Sequence, residues 1–465
     1  MLKKLFLLVF VLVVITACGA NSGSAEPTIN DSNTNTLLES NANTGTQTLP
    51  EPPTQTTSFT YLVEARYHET MHFHNGFAPV RYNDLWGFID TTGREVIQPQ
   101  FQWVMHFNDG LASVQKNGLW GVIDETGQIV IPIEYENSIH FNQGFAAVMV
   151  SPYPNFEWGF MDTTGRIITT RNYNSVGAFN NGFAAVAVGP DWENMLWGFI
   201  DTNGREIIPP TYHFLGSFTD SGLAMVGAGV DWESRLWGFI DTTGEVIVPI
   251  VNNSAIHSHD GSLLGLALEG LDGMWRWFVM DSEGNEILPL RYQSVGLWFE
   301  GYISFQYNNL WGIKDLTGRE IIPPVHHSIG NFVDGLAPVW NEDFQLQGYI
   351  DRTGREVIPM QFSSIGTFNQ YGVAHFNQGT WDQGTWGLIN RDGEIVLPAR
   401  FNMMTTNNDG YFVVRAGDWD TGLWGVINSQ GFEVVPVQYR QLWASIDGIL
   451  PFMNDDYLWG FIKLG

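Results

Sequence analysis

The chain has 465 residues, of which 49 are acidic and 21 basic, so its formal net charge is −28 at pH 7. A charge of this sign repels a phosphate backbone and excludes nucleic acid as an ordinary partner. The one cysteine excludes a disulfide framework and any multi-thiolate metal site within one chain. Glycine, phenylalanine and tryptophan are abundant and only 15% of residues are charged, which indicates a β-rich, turn-rich protein.

The amino terminus has the pattern of a secretory signal peptide. Lys3-Lys4 precede an apolar run over residues 5–15, which is too short to cross a hydrocarbon core of about 30 Å. The run ends in Ile15-Thr16-Ala17-Cys18, which resembles a bacterial lipobox. That resemblance implies cleavage after residues 1–17 and acylation of Cys18, which would anchor the mature protein to a membrane of the bacterial cell envelope on its extracytoplasmic side. The alternative is an ordinary signal peptide with an incidental cysteine.

Residues 18–57 are predicted to be a disordered tether. After Cys18 they are rich in Asn, Thr, Ser, Pro and Glu and almost free of aromatic and branched apolar side chains. Such a segment cannot bury enough apolar surface to offset its loss of conformational entropy. We expect it to separate the lipid from the folded part.

One repeat fills residues 58–465. Its most constant feature is a Trp-Gly pair, with two degenerate copies at Trp277-Phe278 and Gln347-Gly348, and successive copies are 34 to 40 residues apart. The regular copies begin at Trp86, Trp120, Trp158, Trp197, Trp237, Trp311, Trp386, Trp424 and Trp459. Because the tryptophan recurs in all units but the one with Gln347, we interpret it as part of the core.

The residues after each Trp-Gly pair read as a strand, a turn and a second strand. In the first unit, Asp90 ends the first strand and Gly93 follows three residues later. Asp can accept hydrogen bonds from the turn backbone and Gly supplies a positive φ, so the pattern predicts a tight hairpin. A third segment, typified by residues 141–148, adds a Phe, a turn Gly and a short apolar strand. Each unit is therefore predicted to hold three short strands and no helix.

This combination of motifs resembles the WG repeat family, also called KWG repeats, which occurs as arrays in bacterial proteins. The resemblance covers residues 58–465 and implies no catalytic residue, cofactor or metal. One departure is that the usual Lys before Trp is mostly Leu or Glu here, as at Leu85, Leu119 and Glu157. Any preference of Lys-rich arrays for acidic partners is therefore not expected in this chain.

The phase of the array bears on its architecture. Tyr67 to Gly76 and Phe101 to Gly110 have the same spacing, so the repeat starts on its second hairpin strand and ends on its first. In a propeller this phase would let the two termini complete one blade. Because eleven units exceed the usual number of blades and three strands are one too few, we favour an open all-β solenoid or superhelix, with one or two propeller-like rings as the alternative.

Insertions before the Trp-Gly pair are the candidate ligand-binding loops, because they differ between units. Four of them place a tryptophan beside acidic residues. These candidates are Asp191, Trp192, Glu193, Asp231, Trp232, Glu233, Trp381, Asp382, Asp418, Trp419 and Asp420. A tryptophan flanked by carboxylates suits a sugar ring, a cationic peptide or Ca²⁺. A tryptophan folded back over apolar surface is the alternative.

His72, His106 and His140 occupy the same position in three consecutive units. Stacked units would place them in a column, which we expect to titrate near neutral pH rather than to bind a metal. The sequence predicts a binding or scaffold protein whose partner is an envelope glycan or protein. The alternatives are an envelope glycan hydrolase or glycan-modifying enzyme that uses loop carboxylates, and a purely structural spacer.

Overall fold

The computed structural model describes residues 59–151, 157–169, 171–191, 193–229, 234–297, 301–380, 384–406 and 410–465. The elements whose bounds lie within these ranges are all β-strands, which confirms the predicted all-β class. The predicted signal peptide, Cys18 and the tether lie outside the described residues. Within the described ranges no helix is long and apolar enough to span a bilayer.

The described strands form eleven antiparallel sheets, which we number as blades 1 to 11 so that Trp86 lies in blade 1 and Trp459 in blade 11. The first strands of blades 1 to 11 are Glu69–Thr70 (β2), Trp103–Val104 (β6), Phe141–Asn142 (β10), Ser175–Asn180 (β13), Phe214–Leu215 (β17), Ser254–His257 (β21), Ser294–Leu297 (β25), Ser328–Ile329 (β29), Ser364–Ile365 (β33), Met403–Thr406 (β37) and Gln441–Leu442 (β41). The second strands are Phe77–Tyr82 (β3), Leu111–Lys116 (β7), Phe145–Ser151 (β11), Phe183–Val188 (β14), Leu223–Ala228 (β18), Leu263–Glu269 (β22), Tyr302–Tyr307 (β26), Leu336–Trp340 (β30), Val373–Gln378 (β34), Tyr411–Ala416 (β38) and Ile449–Met453 (β42).

The third strands carry the Trp-Gly pairs. They are Leu85–Asp90 (β4), Leu119–Asp124 (β8), Glu157–Asp162 (β12), Leu196–Asp201 (β15), Leu236–Asp241 (β19), Trp275–Asp281 (β23), Leu310–Asp315 (β27), Gln347–Asp351 (β31), Thr385–Asn390 (β35), Leu423–Asn428 (β39) and Trp459–Leu464 (β43). The fourth strands are Glu95–Phe101 (β5), Ile129–Tyr135 (β9), Glu206–Tyr212 (β16), Val246–Asn252 (β20), Glu286–Tyr292 (β24), Glu320–His326 (β28), Glu356–Phe362 (β32), Ile395–Phe401 (β36), Glu433–Tyr439 (β40) and, for blade 11, Phe59–Tyr67 (β1). In blade 3 the fourth position is held by isolated bridges from Tyr173 to Trp158 and from Ile167 to Met161.

The two ends of the repeat close the array into a ring. β1 pairs with β43 antiparallel, and Thr60 lies opposite Lys463. The eleven sheets thus form an eleven-bladed β-propeller, so the favoured open solenoid is wrong and the propeller alternative is confirmed. An open array would leave the edge of β43 unpaired, whereas β1 supplies the missing hydrogen bonds.

The expectation of three strands per unit is also wrong. Most blades begin with an additional strand, often only two residues long, as at Glu69–Thr70 and Ser328–Ile329. In most blades this strand follows a proline-containing fourth strand of the preceding blade, as Ser328–Ile329 follows Glu320–His326. Two residues are too few to show an alternating hydrophobic pattern, which explains why the sequence did not reveal it.

The glycine of the Trp-Gly pair is required by a close backbone approach. A Cβ on Gly198 would lie 2.2 Å from the carbonyl oxygen of Ile208 in the next strand, and a Cβ on Gly238 would lie 2.5 Å from that of Val248. The pairing register shifts at this point, between Trp197 and Phe199 in blade 4. Each Trp-Gly pair therefore marks a bulge at which the fourth strand crosses close to the third.

The apolar core lies between neighbouring blades. One cluster joins Trp86, Phe88 and Phe101 of blade 1 to Phe107 and Val114 of blade 2, all buried. Trp459 is buried as well, whereas the other anchor tryptophans are half-buried; these are Trp120, Trp158, Trp197, Trp237, Trp277, Trp311, Trp386 and Trp424. Each blade thus shields the side of the next, as expected for a repeat that cannot form a core alone.

Candidate functional site

The antiparallel strand order divides the connections of the ring between two faces. Connections from the first to the second strand and from the third to the fourth strand lie at one end of each blade, which we call the turn face. Connections from the second to the third strand, and from each fourth strand to the next blade, lie at the opposite end, which we call the loop face. Every insertion predicted to bind a ligand connects a second to a third strand, so all belong to the loop face.

On the turn face, the turns that connect third to fourth strands share one hydrogen-bonded motif. In blade 1 the Oδ1 atom of Asp90 accepts hydrogen bonds from the backbone N–H of Thr92 at 2.9 Å and of Arg94 at 3.1 Å. Gly93 has φ 81° and donates to the Asp90 carbonyl at 2.9 Å. The predicted turn bonds are present. In blade 8 hydrogen bonds from the Thr353 hydroxyl, and further bonds from the turn backbone and Arg355, lower the pKa of Asp351 to about 2.

The loop face is held by a contact that the sequence analysis missed. At seven of the junctions between blades, the side chain that follows the last paired residue of one blade accepts a hydrogen bond from a backbone N–H in or next to the second-to-third-strand loop of the following blade, and we call this contact the loop clamp. The clamps are His68 to Asn83 (3.3 Å), Gln102 to Gly118 (3.0 Å), Asn174 to Gly189 (3.1 Å), His213 to Gly229 (3.4 Å), Asn253 to Glu269 (2.9 Å), Gln293 to Asn309 (2.8 Å) and Asn402 to Gly417 (2.8 Å). The signal was available, since Asn, Gln or His recurs directly after the aromatic residue that ends the fourth strand.

The structure describes five of the eleven predicted ligand-binding residues. Asp191, Glu193, Asp418, Trp419 and Asp420 are all exposed on the loop face. Trp192, Asp231, Trp232, Glu233, Trp381 and Asp382 lie outside the described residues. The two described loops belong to blades 4 and 10, so the structure does not bring their acidic residues into one cleft.

The carboxylate of Asp191 is engaged by its own loop. Its Oδ1 atom accepts hydrogen bonds from the backbone N–H of Asn194 at 3.0 Å and from the Nδ2 of Asn194 at 2.7 Å. These bonds tie Asp191 to Asn194, and the Asp191 residue is exposed as a whole. Asp191 therefore has a structural role in addition to any contact with a ligand.

Trp419 lies at the tip of the blade 10 loop, and 75% of its surface is exposed. The guanidinium carbon of Arg415 lies 4.7 Å from the Trp419 ring centroid and 5.5 Å from that of Trp424. Arg415 is only 7% exposed, and its buried Nε atom has no hydrogen-bond partner. A buried cation thus supports one side of an indole that remains largely open to solvent.

The three histidines predicted to form a column differ in their surroundings. Burial lowers the pKa of His72 and of His106, and for His106 the nearby His74 and His72 add to the effect. The His140 side chain is exposed and its Nε2 lies 2.9 Å from the Ser138 hydroxyl. Across the described residues, no group of three or more His, Cys, Asp or Glu side chains is placed to hold a metal ion.

A cavity of about 220 Å³ lies on the loop face where blades 2 and 3 meet. Its wall includes the rings of Tyr135 and Trp158, the Met149 side chain, and the exposed Glu134 and Glu136. None of the five described candidates, Asp191, Glu193, Asp418, Trp419 and Asp420, lines it. Its volume is below the range of about 300–1,000 Å³ that is usual for small-molecule sites.

The fold and its repeated motif define a class: a β-propeller scaffold, an architecture that fits a binding or structural role. The model of the family described as "WG containing repeat" matches residues 57–86, 86–120, 120–151, 158–189, 197–227, 237–251, 277–311, 311–339, 348–379 and 386–418. These segments cover more than half of the chain, which therefore belongs to the WG repeat family.

The comparison with curated proteins finds no match. Among solved structures, the chain is similar to a crystal structure of the eukaryotic initiation factor, with 11% identity, a TM-score of 0.33, and coverage of 79% of this chain and 87% of that one. A tricorn protease structure shares 12% identity over 75% of this chain and 41% of its own, with a TM-score of 0.21. Hsv2 of Kluyvelomyces marxianus shares 8% identity over 64% of this chain and 100% of its own, with a TM-score of 0.29.

Proposed function

We propose that this protein is a lipid-anchored binding scaffold of the bacterial cell envelope. Residues 1–17 direct export, Cys18 carries the lipid, and residues 18–57 tether the propeller outside the cytoplasm. The propeller presents its loop face to an envelope glycan or protein. Trp419 carries the binding part of this proposal, because an indole with 75% of its surface exposed is held in place by a buried arginine.

Binding is favoured over catalysis by the arrangement of the repeated carboxylates. A glycan hydrolase needs two carboxyl groups about 5–10 Å apart in one cleft. The turn aspartates, such as Asp90 and Asp351, instead occur at most once per blade and accept hydrogen bonds from their own turns. A purely structural spacer would have no use for an exposed ring that differs from blade to blade.

The anchor is tested by supplying living cells with a tagged fatty acid. We expect the full-length protein to incorporate the tag and to fractionate with membranes, and Cys18→Ser to do neither. A wild-type protein that stays untagged would contradict the lipid anchor, whatever its binding properties.

The binding role is tested by affinity capture from an envelope extract with the full-length protein and with Trp419→Ala. We expect the variant to retain less envelope glycan or protein while its melting temperature stays unchanged. If the wild type and the variant retain the same material equally, the purely structural spacer is supported instead.

A further inference from the structure

Three consecutive blades around the ring closure each place an exposed aromatic ring on the loop face, in or directly before the loop between the second and third strands. Trp419 of blade 10 is 75% exposed, Tyr457 of blade 11 is 62% exposed and Tyr82 of blade 1 is 46% exposed. We call these three residues the aromatic row. Only Trp419 was identified from the sequence.

Each ring of the row is held by a basic or imidazole side chain. The guanidinium carbon of Arg415 lies 4.7 Å from the Trp419 centroid, and that of Arg440 lies 4.5 Å from the Tyr457 centroid. The His68 ring stacks on Tyr82 with centroids 5.7 Å apart and planes inclined by 23°. These contacts fix the rings before any ligand arrives, so a ligand loses less conformational entropy on binding.

The backbone conformation of Tyr457 gives a second, independent indication of function. Its φ is 61°, in the left-handed region that a bulky residue rarely adopts. Its N–H donates to the Asn454 carbonyl at 3.2 Å, so the residue closes a tight turn in which glycine would be the ordinary choice. A strained aromatic residue whose ring is largely exposed is better explained by a contact outside the chain than by folding.

The charges around the row indicate the chemistry of the ligand. Asp418, Asp420 and Asp455 are exposed beside the rings, in a chain of net charge −28, and disfavour an anionic ligand. Arg415 and Arg440 already occupy one face of the Trp419 and Tyr457 rings, so each of these rings has its cation and offers a ligand the opposite face. A neutral sugar suits this arrangement, because its apolar face stacks on a ring while the exposed carboxylates accept hydrogen bonds from its hydroxyls.

The spacing of the row indicates the length of the ligand. Neighbouring sheets pack about 10 Å apart, so three rings in consecutive blades extend beyond a single sugar. We propose that the aromatic row binds an extended neutral glycan chain, with successive rings stacking on separate sugars. This inference rests on the proposed binding function and names the ligand class and the residues.

The test is electrophoresis of the full-length protein through gels that contain a soluble neutral polysaccharide, followed by calorimetry with a disaccharide-to-hexasaccharide series of the polymer that retards it. We expect affinity to rise with chain length, and Trp419→Ala, Tyr457→Ala and Tyr82→Ala each to weaken hexasaccharide binding about fivefold to tenfold. The triple variant is expected to migrate as it does in a gel without polysaccharide. Unchanged circular dichroism and melting temperature show that the variants fold.

The chain supplies a matched control. Tyr307 of blade 7 ends its second strand as Tyr82 does and is likewise 46% exposed, but no described contact joins it to an Arg or His side chain. Tyr307→Ala should leave binding unchanged.

The inference is overturned if no neutral polysaccharide retards the protein, if Tyr307→Ala weakens binding as much as the row variants, or if oligolysine binds the row instead. If the protein binds no neutral polysaccharide but still captures envelope material in a Trp419-dependent way, this inference alone is overturned. If neither kind of binding is observed, the proposed function is overturned as well.

Discussion

The two faces of the propeller differ in what their residues touch. On the turn face, a Cβ on Gly204 would lie 2.1 Å from the Ile168 carbonyl oxygen of the preceding blade, so the turn is confined by its neighbour. On the loop face, Trp419 is largely exposed and its loop is free to differ from those of other blades. The comparison teaches that residues repeated in every blade maintain the ring, whereas residues found in a few blades are the candidates for binding.

The largest effect should come from the repeated glycine of the Trp-Gly pair. Gly198→Ala places a Cβ 2.2 Å from the Ile208 carbonyl oxygen, and we expect it to lower the free energy of unfolding by about 3 kcal/mol in urea denaturation. The matched control is Gly177→Ala, whose Cβ would meet the Ala185 Cβ at an ordinary 3.5 Å. That change should cost less than about 1 kcal/mol. Equal losses would show that the close approach at Gly198 is not what requires glycine.

A smaller effect is expected from the loop clamps, in which a side chain at a recurring position holds a loop that differs between blades. Asn402→Ala removes the 2.8 Å bond to the Gly417 N–H, and should cost about 1 kcal/mol of stability and also weaken glycan binding. Gln102→Ala removes the equivalent 3.0 Å bond to Gly118 in blade 2, where the loop has no aromatic residue. We expect the same loss of stability from both variants but a loss of binding only from Asn402→Ala, as measured by denaturation and calorimetry. A loss of binding from Gln102→Ala would contradict a role confined to the local loop.

The smallest effect at neutral pH should come from the turn aspartates. Hydrogen bonds from threonine hydroxyls, with bonds from the turn backbone and a following arginine, lower the pKa of Asp162, Asp315 and Asp351 to about 2. Since these folded-state pKa values lie below the ordinary 3.8, the resulting stabilisation is present above about pH 4 and is lost as the pH falls toward 2.

Replacing Asp162, Asp315 and Asp351 together by Asn should change the melting temperature little at pH 7, because Asn390 and Asn428 already accept the same turn N–H groups. Melting curves recorded from pH 7 to 2 should fall less steeply below pH 4 for the triple variant than for the wild type. Identical acid sensitivity in both proteins would contradict the assigned role of these carboxylates.

Local features of the fold could be predicted from the sequence because their causes are local. Asp90 and Gly93 determine their own turn, and the alternating strands follow from residues close in the chain. Ring closure could not be predicted in this way, because Thr60 and Lys463 pair across the whole chain and no local pattern reports that contact. The phase of the repeat was compatible with closure, but the unusual number of blades favoured the wrong alternative.

Only part of the candidate site could be predicted from the sequence, because only some of its residues have a local sequence signal. Trp419 is recognisable because acidic residues flank it in an insertion. Tyr457 lies in a short loop that is not an insertion and Tyr82 ends its strand, and only the closed ring shows that blade 1 is a neighbour of blade 11. Arg415 lies in a strand, where sequence alone does not show that it supports an indole.

Closure of the ring can be tested by a disulfide that links β1 to β43. Thr60 and Lys463 are exposed Cα partners on β1 and β43, and directly opposed residues of antiparallel strands are about 4.5–5.5 Å apart, within disulfide range. In a Cys18→Ser background, Thr60→Cys with Lys463→Cys should form an intramolecular disulfide under mild oxidation, seen as a reversible mobility change on a non-reducing gel, whereas Thr60→Cys with Val246→Cys should not. Free thiols, or disulfide-linked dimers alone, in the first variant would contradict the closed ring and restore the open array.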